Sequence, residues 1–462
     1  MKKLKNLFWV TMGLLTVGFL AGSYAIAPIA TGYPAKYLCS SVYVNKMHPD
    51  TVWQRYIQPE NPIFKLVDYT INHESKTVEV RLYGWILPSR ARFTEGCGCT
   101  LTDNADASPR AEPSRENVIP NRESDSLEWP LGTSIARLSG HEKIKREKLQ
   151  ERLEEEFIEW PNAPRKNTWG VAVVYKDQLW AERYMDGIDK YTPLLSWSAS
   201  KSLTGTLAGR WFTLTGEHWD QRANLPRAAR EAHSGITWKD LLQMQGGLEF
   251  SEVYQPFSDA TRMLYESSNM ALFASEKNQA YPAGTHWSYS SGTSNIISWL
   301  IKEKTGGTQG SFEQFARKEF LDVLGIPEAV FEYDASGTFV GSSYFHASPQ
   351  SWLKIALLYK NKGDWFGRQL LSDEWIDFAL RPASDSKGRY GAQIWLNRKT
   401  GKSDNQLFPK LPEDTFMFQG YQGQYIVVIP SWDLMVVRMG VMRDKSWSME
   451  QLILEVAGIV KS

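Results

Sequence analysis

Leu194-Leu195-Ser196-Trp197-Ser198-Ala199-Ser200-Lys201-Ser202-Leu203-Thr204 is the stretch on which the reading of this chain turns. Ser198 and Lys201 stand three residues apart, so on a helix they share a face and the lysine nitrogen reaches the serine hydroxyl. Placed at the start of that helix, Ser198 has backbone N–H groups and the positive end of the helix dipole beside it, the surroundings a developing oxyanion needs. Lysine acts as a base only when burial or a neighbouring positive field lowers its pKa. The spacing alone is common, for it recurs at Ser351–Lys354 and Ser384–Lys387. Context separates the three. The second lies in an ordinary helical pattern with Trp352, Ile355 and Leu358, and the third in a polar loop ending at Gly388. Only the first follows a strand pair and opens a long apolar helix.

That strand pair is a hairpin: Trp169–Tyr175 is a β-rich run, Lys176-Asp177 turns, and Gln178–Tyr184 returns. At the far end, Gln424–Ile429 and Leu434–Met439 form a second pair around Pro430-Ser431-Trp432-Asp433, followed by a helix from near Ser446 to Val460. Between these β ends lie about 230 residues with mainly helical patterns. β first, helices in the middle and β last predicts an α/β (α+β) fold: an antiparallel sheet whose N- and C-terminal strands meet, flanked by helices, with an all-helical subdomain. Upstream, Lys143–Trp160 carries Leu149, Leu153, Phe157 and Trp160 at helical spacing and ends before Pro161. Thr102–Pro130, rich in Pro, Ser, Asn and charge, reads as a linker. Thr77–Leu82 alternates with period two and pairs with Val67–Ile71. The expected division is 1–30, 31–100, 101–140 and 141–462: anchor, small β-containing extension, linker and main domain.

Lys2, Lys3 and Lys5 precede an uncharged run from Leu7 to Ala30, about 36 Å long as a helix and so enough to cross a bilayer. An uncleaved anchor with the body exported is the expectation, and a cleaved signal peptide at Ala25-Ile26-Ala27 the alternative. Export permits disulfides. A Cys97–Cys99 bridge across one glycine would be strained, so Cys39 is expected to pair with Cys97 or Cys99. Lys+Arg (52) balance Asp+Glu (52), which leaves no basic excess for nucleic acid. Seven histidines include no H-E-x-x-H, and there is no G-x-S-x-G elbow, so neither a zinc hydrolase nor a Ser-His-Asp hydrolase is indicated. No metal or cofactor is implied.

Two further segments carry chemistry. Ala283-Gly284-Thr285-His286-Trp287-Ser288-Tyr289-Ser290-Ser291-Gly292 precedes a helix expected from near Asn295, and a tyrosine hydroxyl on such a loop can relay a proton. Gln419-Gly420-Tyr421-Gln422-Gly423-Gln424 leads into the late strand; its glycines admit a substrate to the strand edge, where the Gln424 N–H is a candidate oxyanion donor. Trp197 and Trp287 flank two of the motifs and either line the acyl pocket or fill the core.

In order and together, these elements resemble the serine β-lactamase and penicillin-binding-protein superfamily, over roughly residues 140–460. The likeness is closest to the class C-type branch of esterases and 6-aminohexanoate-dimer hydrolases. The resemblance implies Ser198 as acylated nucleophile, Lys201 as its base and Tyr289 as proton relay, with the Ser198 and Gln424 N–H groups as oxyanion hole. Ser291, Tyr421, Gln422 and Gly423 would contact substrate. Two departures bear on specificity. The tyrosine motif reads Tyr289-Ser290-Ser291 where the family often ends in Asn. The K-T-G position reads Tyr421-Gln422-Gly423, without the cation that binds a substrate carboxylate. The expectation is therefore an exported amide or ester hydrolase acting on a small-molecule or peptide-like substrate. The alternatives are a D-Ala-D-Ala carboxypeptidase or β-lactamase, or a non-catalytic cell-wall receptor of the same fold.

Overall fold

The computed structural model describes residues 2–102, 126–161, 163–226, 233, 235–400 and 406–462. Its first helix, α1 (Lys2–Tyr43), runs without a break through the expected boundary at residue 30. Four strands follow, β1 (Val67–Asn72), β2 (Thr77–Leu82), β3 (Ile86–Thr94) and β4 (Gly98–Thr102), paired in that order in an antiparallel sheet. The main domain begins with α2 (Gly140–Glu154) and the hairpin β5 (Thr168–Tyr175) and β6 (Gln178–Tyr184). Next come β7 (Leu194–Leu195), α3 (Ala199–Thr215), α4 (Ser291–Lys304), β8 (Val330–Phe331), β9 (Phe345–Ala347) and α5 (Pro349–Lys360). The chain ends with β10 (Trp395–Leu396), β11 (Phe416–Gly420), β12 (Gln424–Ile429), β13 (Leu434–Gly440) and α6 (Met449–Lys461).

The main sheet has the order β10-β11-β12-β13-β5-β6. N- and C-terminal strands meet at β13 and β5, where Val436 pairs Val173 and Val437 pairs Ala172. Both faces of these strands are covered, which explains their nearly unbroken apolar runs. Ala172 and Val174 of β5, with Ile426 and Val428 of β12, face the core shared with α3 and α5. Val171, Val173, Val427 and Ile429 face a second core built with Leu149 and Leu153 of α2 and Ile453, Val456 and Val460 of α6.

Several boundaries shift. α2 stops at Glu154, and Trp160 lies exposed beyond it, because the apolar stripe of that helix continues into a short 3-10 turn over Glu155–Phe157. α4 starts at Ser291, four residues early, because Ser290 caps it by accepting from the Thr293 N–H. The middle of the chain is not purely helical: β7, β9 and β8 form a small sheet in that order, from strands of two or three residues too short to show a period. The expected linker lies largely outside the described residues, but Trp129 near its end is buried and its Nε1 donates to the Gln350 carbonyl at 3.4 Å.

The membrane span expected at Leu7–Ala30 finds no support: among the described residues no helix is long and apolar enough to cross a membrane. From Ala27 onward α1 is spent on the protein itself. Tyr37 and Leu38 of α1, Val78 and Val80 of β2 and Leu203 of α3 belong to one continuous core, so the extension is no independent module. Cys39 on α1 is bonded to Cys99 on β4, and Cys97 is free and buried. Lys36, Ser40 and the Cys99 N–H converge on Glu332 of the main domain: Lys36 forms an ion pair with it, Ser40 Oγ donates at 2.8 Å and the Cys99 N–H at 2.7 Å. The fourth partner is His346 Nε2, at 3.0 Å. Gly98 is required here, since at φ +67° an added Cβ would lie 2.5 Å from the Glu332 side chain. Because the disulfide closes a loop of sequence separation 60, Cys99→Ser should lower the unfolding free energy by roughly 2–4 kcal/mol in denaturant titrations.

Candidate active site

The turn that delivers Ser198 is fastened on both sides. Ser196 N donates to the Phe345 carbonyl of β9, and its Oγ donates to the same oxygen at 2.5 Å. Ser200 Oγ accepts from the Phe345 N–H at 3.0 Å. Between these anchors Trp197 is held at φ +47°, a left-handed conformation that a bulky side chain adopts only when its surroundings impose it. Ser198 follows as the N-cap of α3, half-buried, and its side chain caps nothing. Its hydroxyl is thereby left to the site.

Lys201, one turn along α3, is 1% exposed. Its Nζ donates to Ser198 Oγ at 3.1 Å, Ser291 Oγ at 2.9 Å and the Ser342 carbonyl at 3.0 Å, which satisfies all three ammonium protons. Burial lowers its pKa to about 8, against an opposing upward push from the Glu252 carboxylate. Lys354 of the second spacing match is instructive: burial lowers it to about 8 as well. Yet its Nζ donates to the Gly325 carbonyl at 3.0 Å, while Ser351 Oγ turns to Glu328 at 2.5 Å. A depressed lysine alone therefore does not mark a site: Lys354 and Ser351 turn to other partners, whereas Lys201 is bonded to Ser198.

Tyr289 lies beside this pair. Lys201 Nζ sits 4.8 Å from its ring centroid, and the ring stacks on Trp395 at 5.2 Å. Burial and then Glu252 raise its hydroxyl well above the ordinary tyrosine value, while a hydrogen bond with Ser198 pulls the other way. A neutral hydroxyl thus touches Ser198. Trp287, partly buried, packs against Tyr390 and Trp395.

Sequence reasoning missed Glu252. It binds the first residue of α4 through both oxygens: Ser291 N–H donates at 2.7 Å and Ser291 Oγ at 2.5 Å. Ser291, fully buried, thus lies beneath Lys201 and joins it to a carboxylate in a chain Ser198–Lys201–Ser291–Glu252. Glu252 stands in an aperiodic polar stretch with Glu249 and Asp259 nearby, and nothing in that stretch sets it apart.

Gly420, at the end of β11, is the glycine that the site needs: a Cβ there would lie 2.1 Å from the Ser196 carbonyl. The strand edge therefore meets the nucleophile turn at Gly420–Tyr421. Gln424 is fully buried, and its side chain donates to the Tyr421 and Gly440 carbonyls at 3.1 and 2.5 Å and accepts from the Gly440 N–H at 3.0 Å. Gln422 and Gly423 form the turn, at φ +60° and +84°. Gln422 Nε2 donates to Glu60 at 2.8 Å, and the Gly423 carbonyl accepts from buried Arg438 at 2.9 Å.

A cavity of about 190 Å³ opens beside Ser198, with Trp197, Tyr254 and Tyr421 on its main-domain side. Its other wall is Ile26, Ile29, Ala30 and Tyr33 of α1, with Ile63 and Phe64 behind.

The beta-lactamase family model matches residues 152–440, well over half of the chain. The chain belongs to the beta-lactamase family. Its place is in the serine β-lactamase and penicillin-binding-protein-like superfamily. Among solved structures it is similar to a Bacillus anthracis protein assigned as a 6-aminohexanoate-dimer hydrolase, with 18% identity and a TM-score of 0.54 over 71% of this chain and 88% of that one. A family VIII carboxylesterase shares 13% identity with a TM-score of 0.51, over 71% of this chain and 100% of the other. EstCE1, a hydrolase with promiscuous acyltransferase activity, shares 11% with a TM-score of 0.53, over 70% and 99%. At these identities the likeness is one of fold. Comparison with curated protein sequences found no match. Within this beta-lactamase-family chain, the cation nearest the late-strand turn is Arg438, which is buried and bonded to backbone carbonyls and so does not face the cleft.

Proposed function

We propose that this chain is a serine hydrolase that cleaves an ester or amide bond through an acyl-enzyme on Ser198. The observation that carries the reading is the 3.1 Å hydrogen bond from buried Lys201 to Ser198 Oγ. In its neutral form Lys201 takes the Ser198 proton as Oγ attacks the substrate carbonyl carbon. The carbonyl electrons move onto oxygen, where the Ser198 N–H and a second N–H stabilise them. Tyr421, which borders the same cavity as Ser198, is better placed to supply that second donor than Gln424. The bond to the leaving group then breaks, and the proton held on Lys201 passes through the neutral Tyr289 hydroxyl to the departing alcohol or amine. Water repeats the sequence in reverse roles and frees the acid and Ser198.

The protein is exported in this reading, and the Cys39–Cys99 bond supports that, since such bonds persist in oxidising compartments. No lysine or arginine borders the cavity at Ser198, which disfavours β-lactams and D-Ala-D-Ala peptides, whose carboxylate would lose a charge-assisted bond worth roughly 1.5–3 kcal/mol. A panel of p-nitrophenyl esters, short linear amides and nitrocefin tests this: turnover of esters or amides is expected, and fast nitrocefin hydrolysis alone would overturn it.

The pH dependence has a defined sign. Lys201 works as a base only when neutral, so kcat/KM should rise with pH through about 8. Glu252 pushes the lysine pKa up, so Glu252→Gln should move that rising limb to lower pH. A limb that stays in place or moves up would remove Glu252 from the lysine's surroundings.

A further inference from the structure

We infer that the N-terminal helix forms the acyl-binding wall of the site, and that the enzyme selects substrates with an uncharged, apolar acyl chain. The inference rests on the serine hydrolase reading and adds the substrate class to it.

Ile26, Ile29, Ala30 and Tyr33 fall at i, i+3, i+4 and i+7, one face of a helix, and all four border the cavity at Ser198. The face is seated by aromatic stacking on the residue before the nucleophile: the rings of Tyr33 and Tyr37 lie nearly parallel to Trp197, at 6.4 and 5.9 Å. Its position is locked at the rim by Glu60, which accepts from the Tyr421 hydroxyl, from Gln422 at 2.8 Å and pairs with Arg443 at 2.9 Å. The rim beside the helix is thus held to the turn at Tyr421–Gln422 and to Arg443.

The chemistry of the wall defines what fits. No lysine or arginine borders the cavity, and its one acid, Glu60, already has three partners. A substrate carboxylate would lose its hydration there without a counter-charge. Neither Lys201 nor Tyr289 borders the cavity. The leaving group must lie beside those two to be protonated, so the arm that enters the cavity is the acyl arm. Tyr33 adds a buried hydroxyl without a hydrogen-bond partner, and the further polar lining at Asn61, Gln255 and Thr261 is uncharged.

The test uses the full chain and p-nitrophenyl esters of acetate, hexanoate and the half-ester of succinate. The wild type should prefer hexanoate to succinate at least tenfold in kcat/KM. Ile29 is only partly buried, so its substitutions are compatible with folding. Ile29→Trp should lower the hexanoate-to-acetate ratio of kcat/KM at least tenfold, and Ile29→Ala should extend the preference to longer chains. If acetate and hexanoate fall together, or neither Ile29 variant alters the chain-length profile while Ser198→Ala still abolishes acetate hydrolysis, the wall assignment fails and the hydrolase reading stands. If Ser198→Ala leaves acetate hydrolysis intact, the hydrolase reading itself fails.

Discussion

Ser198→Ala is expected to abolish labelling by a fluorophosphonate probe and to reduce ester hydrolysis by a factor on the order of 10⁴ to 10⁶, while circular dichroism and melting temperature stay close to wild type. The probe phosphonylates only a serine whose proton is being withdrawn. In the wild type the adduct should map to the peptide around Trp197-Ser198-Ala199, with one adduct per chain. The structural reason for a clean result is that Ser198 Oγ caps no backbone group and is half-exposed at the cavity. Its removal deprives Lys201 of one acceptor while Ser291 and the Ser342 carbonyl remain. Ser351, whose hydroxyl is committed to Glu328, should not be labelled. Labelling that survives the mutation would end the Ser198 mechanism.

Glu332→Ala should have the largest effect on stability. Glu332 is fully buried, with Lys36, Ser40, the Cys99 N–H and His346 around it. Burial alone would raise its carboxyl, but the charges of Lys36 and His346 overcome this and hold it down at about 2. Removing it leaves the Lys36 ammonium buried without its anion, a loss of about 3–5 kcal/mol. Denaturant unfolding should show it directly. The pH dependence follows from the depressed value: the stabilisation is fully present above the ordinary glutamate range near ~4.3 and is lost as pH falls from there toward about 2. Lys36→Met combined with Glu332→Leu should recover much of the loss, because it removes both buried charges together. A Glu332→Ala protein as stable as wild type at pH 7 would mean that the cluster does not tie the extension to the main domain.

How far the sequence was readable follows from what each feature depends on. The hairpin Thr168–Tyr184 and the strands Gln424–Gly440 declare themselves through apolar runs and turn residues. Ser198 and Lys201 are legible because their contact is local, three residues along one helix. Glu252 and Glu60 are not, since each acts across a gap in sequence: Glu252 meets Ser291 across 39 residues and Glu60 meets Gln422 across 362. The late-strand motif was located in sequence but its working glycine was not. Gly420 and Gly423 look alike on paper, and only the approach of the Ser196 carbonyl tells them apart. The apolar run Leu7–Ala30 is divided in the structure: Trp9, Val10, Leu14 and Tyr24 are exposed, and among the described residues only its last turn, with Ala27 and Ala30, is buried against the protein, a division that composition alone does not show.

The bonds from Glu60 to Tyr421 and Gln422, and from Arg443 to the Tyr56 carbonyl at 2.8 Å, close gaps of 361, 362 and 387 residues. Tyr56 and Glu60 are synthesised well before Tyr421, Gln422 and Arg443, on which they dock. Tyr33 and Tyr37 of α1 can meet Trp197 earlier, but the rim at Glu60 has no native partner until Tyr421, Gln422 and Arg443 are made, and long-range contacts of this kind form late. A polypeptide truncated before Arg443 would carry Ser198, Lys201 and Tyr289 and still lack a finished pocket. On the proposed reading, the pocket is finished only when segments 361 to 387 residues apart come together.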